Sequence, residues 1–446
     1  MHYSPKEAIF VLIKTYSEMK KLIPLFLLLF SLHTLLGQEF ETHFADTTLR
    51  LNYTFAGNAD QQLIALEGMQ RQSGWYGRRH HLSSVPLRGN GDITLYHPTS
   101  GEILYKSSFS SLFQEWIVTP ESSTLTRSFE ASFLVPMPLQ EVDIEVVLRG
   151  NEGQLQASLR HRVDPNDPLI AEPTTTTPHL YVHRGGDPRE AIDVAILAEG
   201  YTLEQMDLFL EDARTTAEEI LRYAPFSNYR SKFNFVAVMS ASRDGEVSVP
   251  HEGKWASTAI GSHFTTFYME RYLTTNQVHT LYDLVEGIPC EHLIILANTD
   301  TYGGGGIYNS YTLTTAHHPP FKPVVVHEFG HSFGGLGDEY FYETADRMDE
   351  THQLSHEPWE PNITTLVDFG SKWADMLPSP GIIVPTEPTA AREASYEVGL
   401  YEGGGYRTKG VFRPAVVCRM RDNTATRFCP VCERAIERVI QHHLGE

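Results

Sequence analysis

The sequence predicts two units in series, an all-β, sandwich-like N-terminal unit followed by an α/β unit. Three observations carry this expectation. Apolar and polar residues alternate over short runs as far as about Asp164. A stretch rich in proline and threonine follows over residues 165–178. Beyond it, continuous apolar runs of strand length alternate with helix-like segments. At 446 residues the chain is long enough for two domains, and 41% hydrophobic content supports a core in each. The net charge of −21 argues against nucleic acid or an anionic membrane surface as partner, and is read here as a matter of solubility.

The first element is a targeting segment. Lys20-Lys21 precedes an apolar run from Leu22 to Leu36 that ends at Gly37-Gln38. A basic start, an apolar stretch of about 15 residues and a small residue at the cut describe a secretory signal peptide over residues 1–37. Met19 opens the same pattern by itself and is an alternative start. The run is short for a membrane span of about 20 residues, so no stable insertion is expected after cleavage. No cysteine follows the run to carry a lipid anchor. The mature chain is expected to be secreted, either to a periplasm or outside the cell.

From residue 38 to 164 the pattern is that of short strands. Leu51, Tyr53 and Phe55 alternate with polar residues; Ile93–Tyr96 and Ile103–Tyr105 flank Pro98-Thr99-Ser100-Gly101 as a hairpin. Phe129–Val135, Val142–Leu148 and Leu155–Val163 continue the alternation. His80-His81 beside Arg78-Arg79 is read as a solvated loop. Residues 164–178 hold two Asp-Pro pairs, Glu172-Pro173 and four threonines, the composition of a semi-rigid linker over 165–178. The second unit then runs from 179 to 446.

In that unit Ala191–Ala198, Phe233–Met239 and His292–Ala297 are expected as buried strands. Thr202 and Gln205 have the spacing of a capping box opening a helix that reaches about Tyr223. Thr258–Leu273 is expected to be helical. Gly303–Gly306 opens into Ile307–Thr315, expected as an edge strand able to bind an extended peptide by strand addition, with a mobile glycine loop as the plainer alternative. Ala435–Leu444 closes the chain as a helix.

The chemistry concentrates at residues 324–339, Val-Val-Val-His-Glu-Phe-Gly-His-Ser-Phe-Gly-Gly-Leu-Gly-Asp-Glu. His327 and His331, four apart on a helix, share one face. Glu328 between them is placed to reach a water rather than the ion. This is the H-E-x-x-H arrangement of a catalytic Zn²⁺ site, with Glu328 as general base. The glycines at 334, 335 and 337 let the chain turn sharply after the second histidine. Such a turn would carry Asp338 back as third ligand, with Glu339 as its competitor.

Downstream, Met420 in Val417–Asn423 reads either as core filler or as the tight turn whose methionine lies beneath the metal. The four cysteines, Cys290, Cys418, Cys429 and Cys432, are expected to form two disulfides in an exported protein, with three pairings open. A Cys-x-x-Cys metal or redox site at Cys429 and Cys432 is the rival reading.

These residues resemble a metzincin-type zinc peptidase, and more narrowly the bacterial IgA-specific metallopeptidases. The resemblance covers roughly residues 180–440. It rests on His327–Tyr340, on Ala195–Tyr201, on Tyr401-Glu402-Gly403 and Tyr406, and on Cys418-Arg419-Met420 with the final Cys-Pro-Val-Cys. It implies endopeptidase activity and a β-rich N-terminal domain. In the metzincin pattern the third ligand falls three residues after Gly334, on Gly337, which has no side chain to ligate with; Asp338 stands one position later.

The leading functional expectation is therefore a secreted zinc endopeptidase acting on protein or peptide. The alternative from another class is a surface-binding or adhesion protein whose zinc domain is vestigial. The presence of Glu328 and both histidines favours the enzyme. A non-peptidase zinc hydrolase is disfavoured by ligands gathered on one helix followed by a glycine turn.

Overall fold

The computed structural model describes residues 40–150, 152–172, 176–342, 355–378 and 383–446. The expected signal peptide lies outside the described residues.

Eight strands form the N-terminal part: β1 (Phe44–Gly57), β2 (Gln62–Ser73), β3 (Gly91–Tyr96), β4 (Ile103–Phe109), β5 (Arg127–Pro138), β6 (Val142–Arg149), β7 (Leu155–Val163) and β8 (Ile170–Ala171). They make two four-stranded sheets, ordered β5-β1-β2-β8 and β4-β3-β6-β7. The period-two pattern sets which residues face inward: along β6 buried residues alternate strictly with half-buried ones. The inward aromatics meet, with Phe109 ring centroids 6.0 Å from Phe55 and 4.5 Å from Phe133. The expected hairpin is β3–β4, in which Leu95 pairs with Tyr105 and Gly101 takes the positive φ of the turn. A short helix, α1 (Leu112–Ile117), follows β4, capped by Ser111. Within residues 165–178, Ile170 is buried and pairs with Met69, so part of that stretch is strand.

The second part is built on a six-stranded sheet of β9 (His179–Arg184), β10 (Ile192–Glu199), β11 (Phe233–Val238), β12 (His292–Ala297), β13 (Gly304–Ile307) and β14 (Tyr311–Thr315), in the order β13-β14-β12-β10-β11-β9. Strands β11, β10, β12 and β14 run parallel, and the outer strands β9 and β13 are antiparallel to their neighbours. Every residue of β10, β11, β12 and β14 is buried, as a parallel sheet covered on both faces requires. Val194, Ile196 and Ala198 of β10 join the core made with α2 (Met206–Ile220), α4 (Phe321–Gly334) and α5 (Pro430–Leu444). Ala195 and Leu197, pointing the other way, belong to the core of the N-terminal sheets. The N-terminal part thus covers one face of this sheet.

Polar contacts tie the two parts together. Arg50 on β1 is fully buried; its Nη1 lies 2.6 Å from Asp283 Oδ1 and its Nη2 2.7 Å from the His279 carbonyl, both on α3 (Val278–Leu284). Arg78 is also buried and donates to the carbonyls of Leu82, Ser84 and Lys106. His81 packs on His442 of α5 with ring centroids 4.9 Å apart. His80 and His81 are exposed, as expected of a solvated loop; of the four residues only Arg78 is buried.

The capping box at Thr202 and Gln205 forms, opening a single 3-10 turn before α2. The expected helix over Thr258–Leu273 does not: the segment holds only a 3-10 turn at Thr266–Tyr268, with Thr265, Phe267 and Tyr268 at positive φ. The start of the segment is held instead by Glu199, fully buried at the end of β10. Its carboxylate accepts hydrogen bonds from the Ile260 and Ser262 amides and from the Thr258 and Ser262 hydroxyls, at 2.5–3.1 Å. Those amides are committed to the carboxylate rather than to a helix.

Candidate metal centre

Helix α4 forms from Phe-Lys-Pro-Val-Val-Val-His-Glu-Phe-Gly-His-Ser-Phe-Gly, a run whose three β-branched valines disfavour helix locally. Burial outweighs propensity: Val324, Val325, Val326, Phe329 and Phe333 all lie in the core. Pro323 falls in the first turn, where its missing amide removes nothing. The helix ends at Gly335, which takes the left-handed conformation. Leu336 then donates back to the Gly330 carbonyl at 3.2 Å. Asn362 holds the turn by accepting from the Gly337 amide at 2.7 Å and donating to the Gly337 carbonyl at 2.8 Å.

This turn brings Asp338 under the histidines. His327 Nε2 and His331 Nε2 are 3.1 Å apart, and Asp338 Oδ1 lies 3.0 Å from the first and 3.3 Å from the second. Each Nδ1 faces a carbonyl, of Arg419 at 3.0 Å for His327 and of Leu336 at 2.5 Å for His331. A carbonyl can only accept, so each Nδ1 donates and each Nε2 turns a lone pair inward. Two lone pairs and a carboxylate oxygen at such separations repel unless a cation sits among them. Bonds of about 2.0–2.1 Å in a tetrahedral set place donors about 3.3 Å apart, so these three atoms fit a zinc-sized ion. Asp338 makes the place favourable to positive charge: burial opposes the charge on His331, yet the Asp338 carboxylate lifts it to about 9, a charge that an ion would replace. Burial also opposes charge on Asp338, but the two imidazoles hold it well below the usual carboxylate range.

Glu328 is on the same helix, facing the edge strand β13. Burial pushes its carboxyl up, and the neighbouring histidines pull it part of the way back. Glycines make this approach feasible: a Cβ on Gly304 would lie 3.0 Å from Glu328 Oε1, and one on Gly306 would lie 2.7 Å from His331 Cβ. The expected glycine stretch is therefore the edge strand itself, and Ile307–Thr315 is not: Tyr311–Thr315 forms β14, one strand in, flanked by β13 and β12. Met420 is fully buried, with its sulfur 2.8 Å from where a Gly330 Cβ would stand, against the turn of helix between the two histidines.

The sequence matches the family described as IgA Peptidase M64 over residues 180–392 and 388–440. The chain belongs to the IgA peptidase M64 family. Its N-terminal part matches the M64 N-terminus over residues 39–160. No curated protein matches it. As a member of this metal-dependent family it is a peptidase, a hydrolase of protein or peptide substrates.

Two groups in the M64 chain carry no signal in the local motif. Tyr406, beside the hairpin of β15 (Tyr401–Gly404) and β16 (Arg407–Arg413), donates its hydroxyl to Asp338 Oδ2. Glu115, on α1 of the N-terminal part, accepts from the Tyr272 hydroxyl, and burial pushes it up to about 7. Both reach the site across long sequence separations. Tyr406 was visible only as part of the family resemblance, and nothing in the sequence pointed to Glu115.

The disulfide expectation is overturned. All four cysteines are buried free thiols. Cys290 is a core residue whose Sγ lies 3.6 Å from the His292 carbonyl. Cys418, Cys429 and Cys432 instead gather around Glu339. The Cys418–Cys432 Sγ separation is 3.7 Å, against about 2.05 Å for a bonded pair.

Proposed function

We propose that the chain is an exported, zinc-dependent endopeptidase with a metzincin-like catalytic domain over residues 179–446 and a β-sandwich domain over 38–164. The observation that carries this reading is the triangle of His327 Nε2, His331 Nε2 and Asp338 Oδ1 beside the half-buried Glu328. His327, His331 and Asp338 are assigned as the zinc ligands. Zinc in such a three-ligand site keeps a position open and supplies Lewis acidity toward water and the scissile carbonyl.

The remaining work falls to the chain's own groups. Glu328, desolvated and raised in pKa, takes a proton from the attacking water and returns it to the leaving amine nitrogen as the C–N bond breaks. The Arg419 and Leu336 carbonyls hold the two rings in one tautomer. Tyr406 occupies Asp338 Oδ2 and leaves Oδ1 for the ion. Met420 supports the helix from below. Strand β13 is the last strand of the sheet, bridged at Gly304 by Tyr272, so an extended peptide could add only beyond that point, and its glycines keep it close to Glu328.

No helix among the described residues is long and apolar enough to cross a membrane. Export rests on the basic and apolar pattern of residues 20–38. The test is digestion of a peptide library by the purified mature chain, read by mass spectrometry with and without a chelator. Internal cleavages that vanish with chelator and return with zinc are expected. Cleavage indifferent to chelator, or none at all, overturns the reading.

A further inference from the structure

We propose that Cys418, Cys429, Cys432 and Glu339 hold a second, structural zinc ion, separate from the one assigned to the histidines. One donor atom from each of the four lies within 4.8 Å of the others, and all four side chains are fully buried. Zinc–sulfur bonds of about 2.3 Å in a tetrahedron set sulfur atoms about 3.8 Å apart, and a sulfur and an oxygen about 3.5 Å apart. The structure has Cys418 Sγ 3.7 Å from Cys432 Sγ, and Glu339 Oε1 3.8 Å from Cys429 Sγ and 3.1 Å from Cys432 Sγ. These separations are too long for a disulfide and match the edges of one tetrahedron.

The balance of charge points the same way. Glu339 has no exposed surface, and its Oε2 has no hydrogen-bond partner. Its Oε1 receives the Asn362 amide at 3.0 Å, a neutral donor. Arg413, a cation that acts on it, directs its Nη1 to the carbonyls of Glu402 and Gly403 at 2.7 and 2.6 Å. A buried carboxylate among three thiols is costly unless a cation joins them. Cys429 and Cys432 sit at the N-cap and in the first turn of α5, where the helix amides favour thiolates. Cys418 already accepts the Cys429 amide at 3.2 Å, the kind of N–H···S bond that supports a metal-bound sulfur.

The site's place in the fold gives its role. Glu339 directly follows Asp338, Cys418 stands two residues before Met420, and α5 closes the core. One ion here would fasten the turn bearing Asp338, the Met420 turn and the last helix to one another. Binding releases the thiol protons, and bound thiolates resist oxidation in an exported chain.

The test is metal content of the mature chain, purified without reductant, by elemental analysis and native mass spectrometry. Two zinc ions per chain are expected in the wild type and one in His327→Ala/His331→Ala. Cys429→Ser/Cys432→Ser should lose the structural ion, whether or not it folds well. The double-histidine variant, loaded with cobalt(II), should therefore still show the intense near-ultraviolet band of thiolate-to-cobalt charge transfer. One ion in the wild type that disappears with the histidines, no thiolate band, or the mass deficit of a disulfide each overturns this site. One ion that survives loss of the histidines instead removes the catalytic assignment and leaves this site standing.

Discussion

Asp338 and Glu339 are consecutive, yet their carboxylates face different clusters: Asp338 Oδ1 lies 3.0 Å from His327 Nε2, while Glu339 Oε1 lies 3.1 Å from Cys432 Sγ. The backbone between them is held extended from both sides, Glu339 donating to the Met420 carbonyl and Gly405 to the Asp338 carbonyl, each at 2.8 Å. Neighbouring side chains on such a segment point to opposite faces. On the proposed reading, this geometry gives Asp338 to the histidines and Glu339 to the thiols.

Asp338→Ala should weaken zinc binding at the histidine site by more than the roughly 10–100-fold that loss of an outer-sphere partner costs. Glu339→Ala, which acts on that site only through the turn, should weaken it by no more than that range. Competitive zinc titration of both variants checks this, and the reverse order would exchange the assignments.

Glu328→Gln should keep the histidine-site zinc and lose nearly all hydrolysis, about 10²–10⁴-fold or more in kcat for removal of a general base. Metal analysis alongside peptide turnover separates the cases. A variant that arrives without its ion would make Glu328 a ligand or a structural residue.

Gly306→Ala should push β13 away from α4, because its Cβ would stand 2.7 Å from His331 Cβ. Overpacking of this kind costs about 1–3 kcal/mol, read as a lower melting temperature, and kcat/KM should fall as the edge leaves Glu328. Gly68→Ala, which meets nothing within 4 Å, serves as control. Equal behaviour of the two variants would show that β13 has no fixed place against the helix.

Asp193 gives a pH signature of stability. Burial pushes its carboxyl up to about 8, with Asn234 as its hydrogen-bond donor and Glu291 adding repulsion. The folded state then keeps a proton that the unfolded chain, near its ordinary pKa of about 3.9, has lost. This contribution is complete below about pH 4 and is lost as pH rises through 8, by at most about 1.4 kcal/mol per unit. Asp193→Asn should therefore match the wild type near about pH 4 and exceed it in urea denaturation near about pH 9. Parallel curves for the two proteins would mean that Asp193 is ionised in the fold.

Much of the site was legible in the sequence because it is local. The pair His327 and His331, Glu328 between them, and the glycines that end α4 depend on helical spacing and on φ at a few positions. The strands with continuous apolar runs and the cap at Thr202 were legible for the same reason. What could not be read depends on contacts across the chain. The carboxylate of Glu199 holds residues 258–262 of the expected helix at 258–273 in a loop, and β13, not the Tyr/Thr-rich segment after it, takes the end of the sheet. The three C-terminal cysteines gather around a carboxylate from residue 339 without a disulfide among them. Tyr406 touches Asp338 across 68 residues.

The two faces of the six-stranded sheet have a further consequence. Ala195, Leu197, Val236, Val238 and Ile295 point into the same core as Phe55 and Phe109. The first third of the chain is thus half of the enzyme's interior rather than an accessory carried beside it. A chain cut to begin at His179 would present that apolar face to water and associate with other copies instead of working alone. Whatever selects for the peptidase selects for both segments at once, and a lesion in either should silence the same activity.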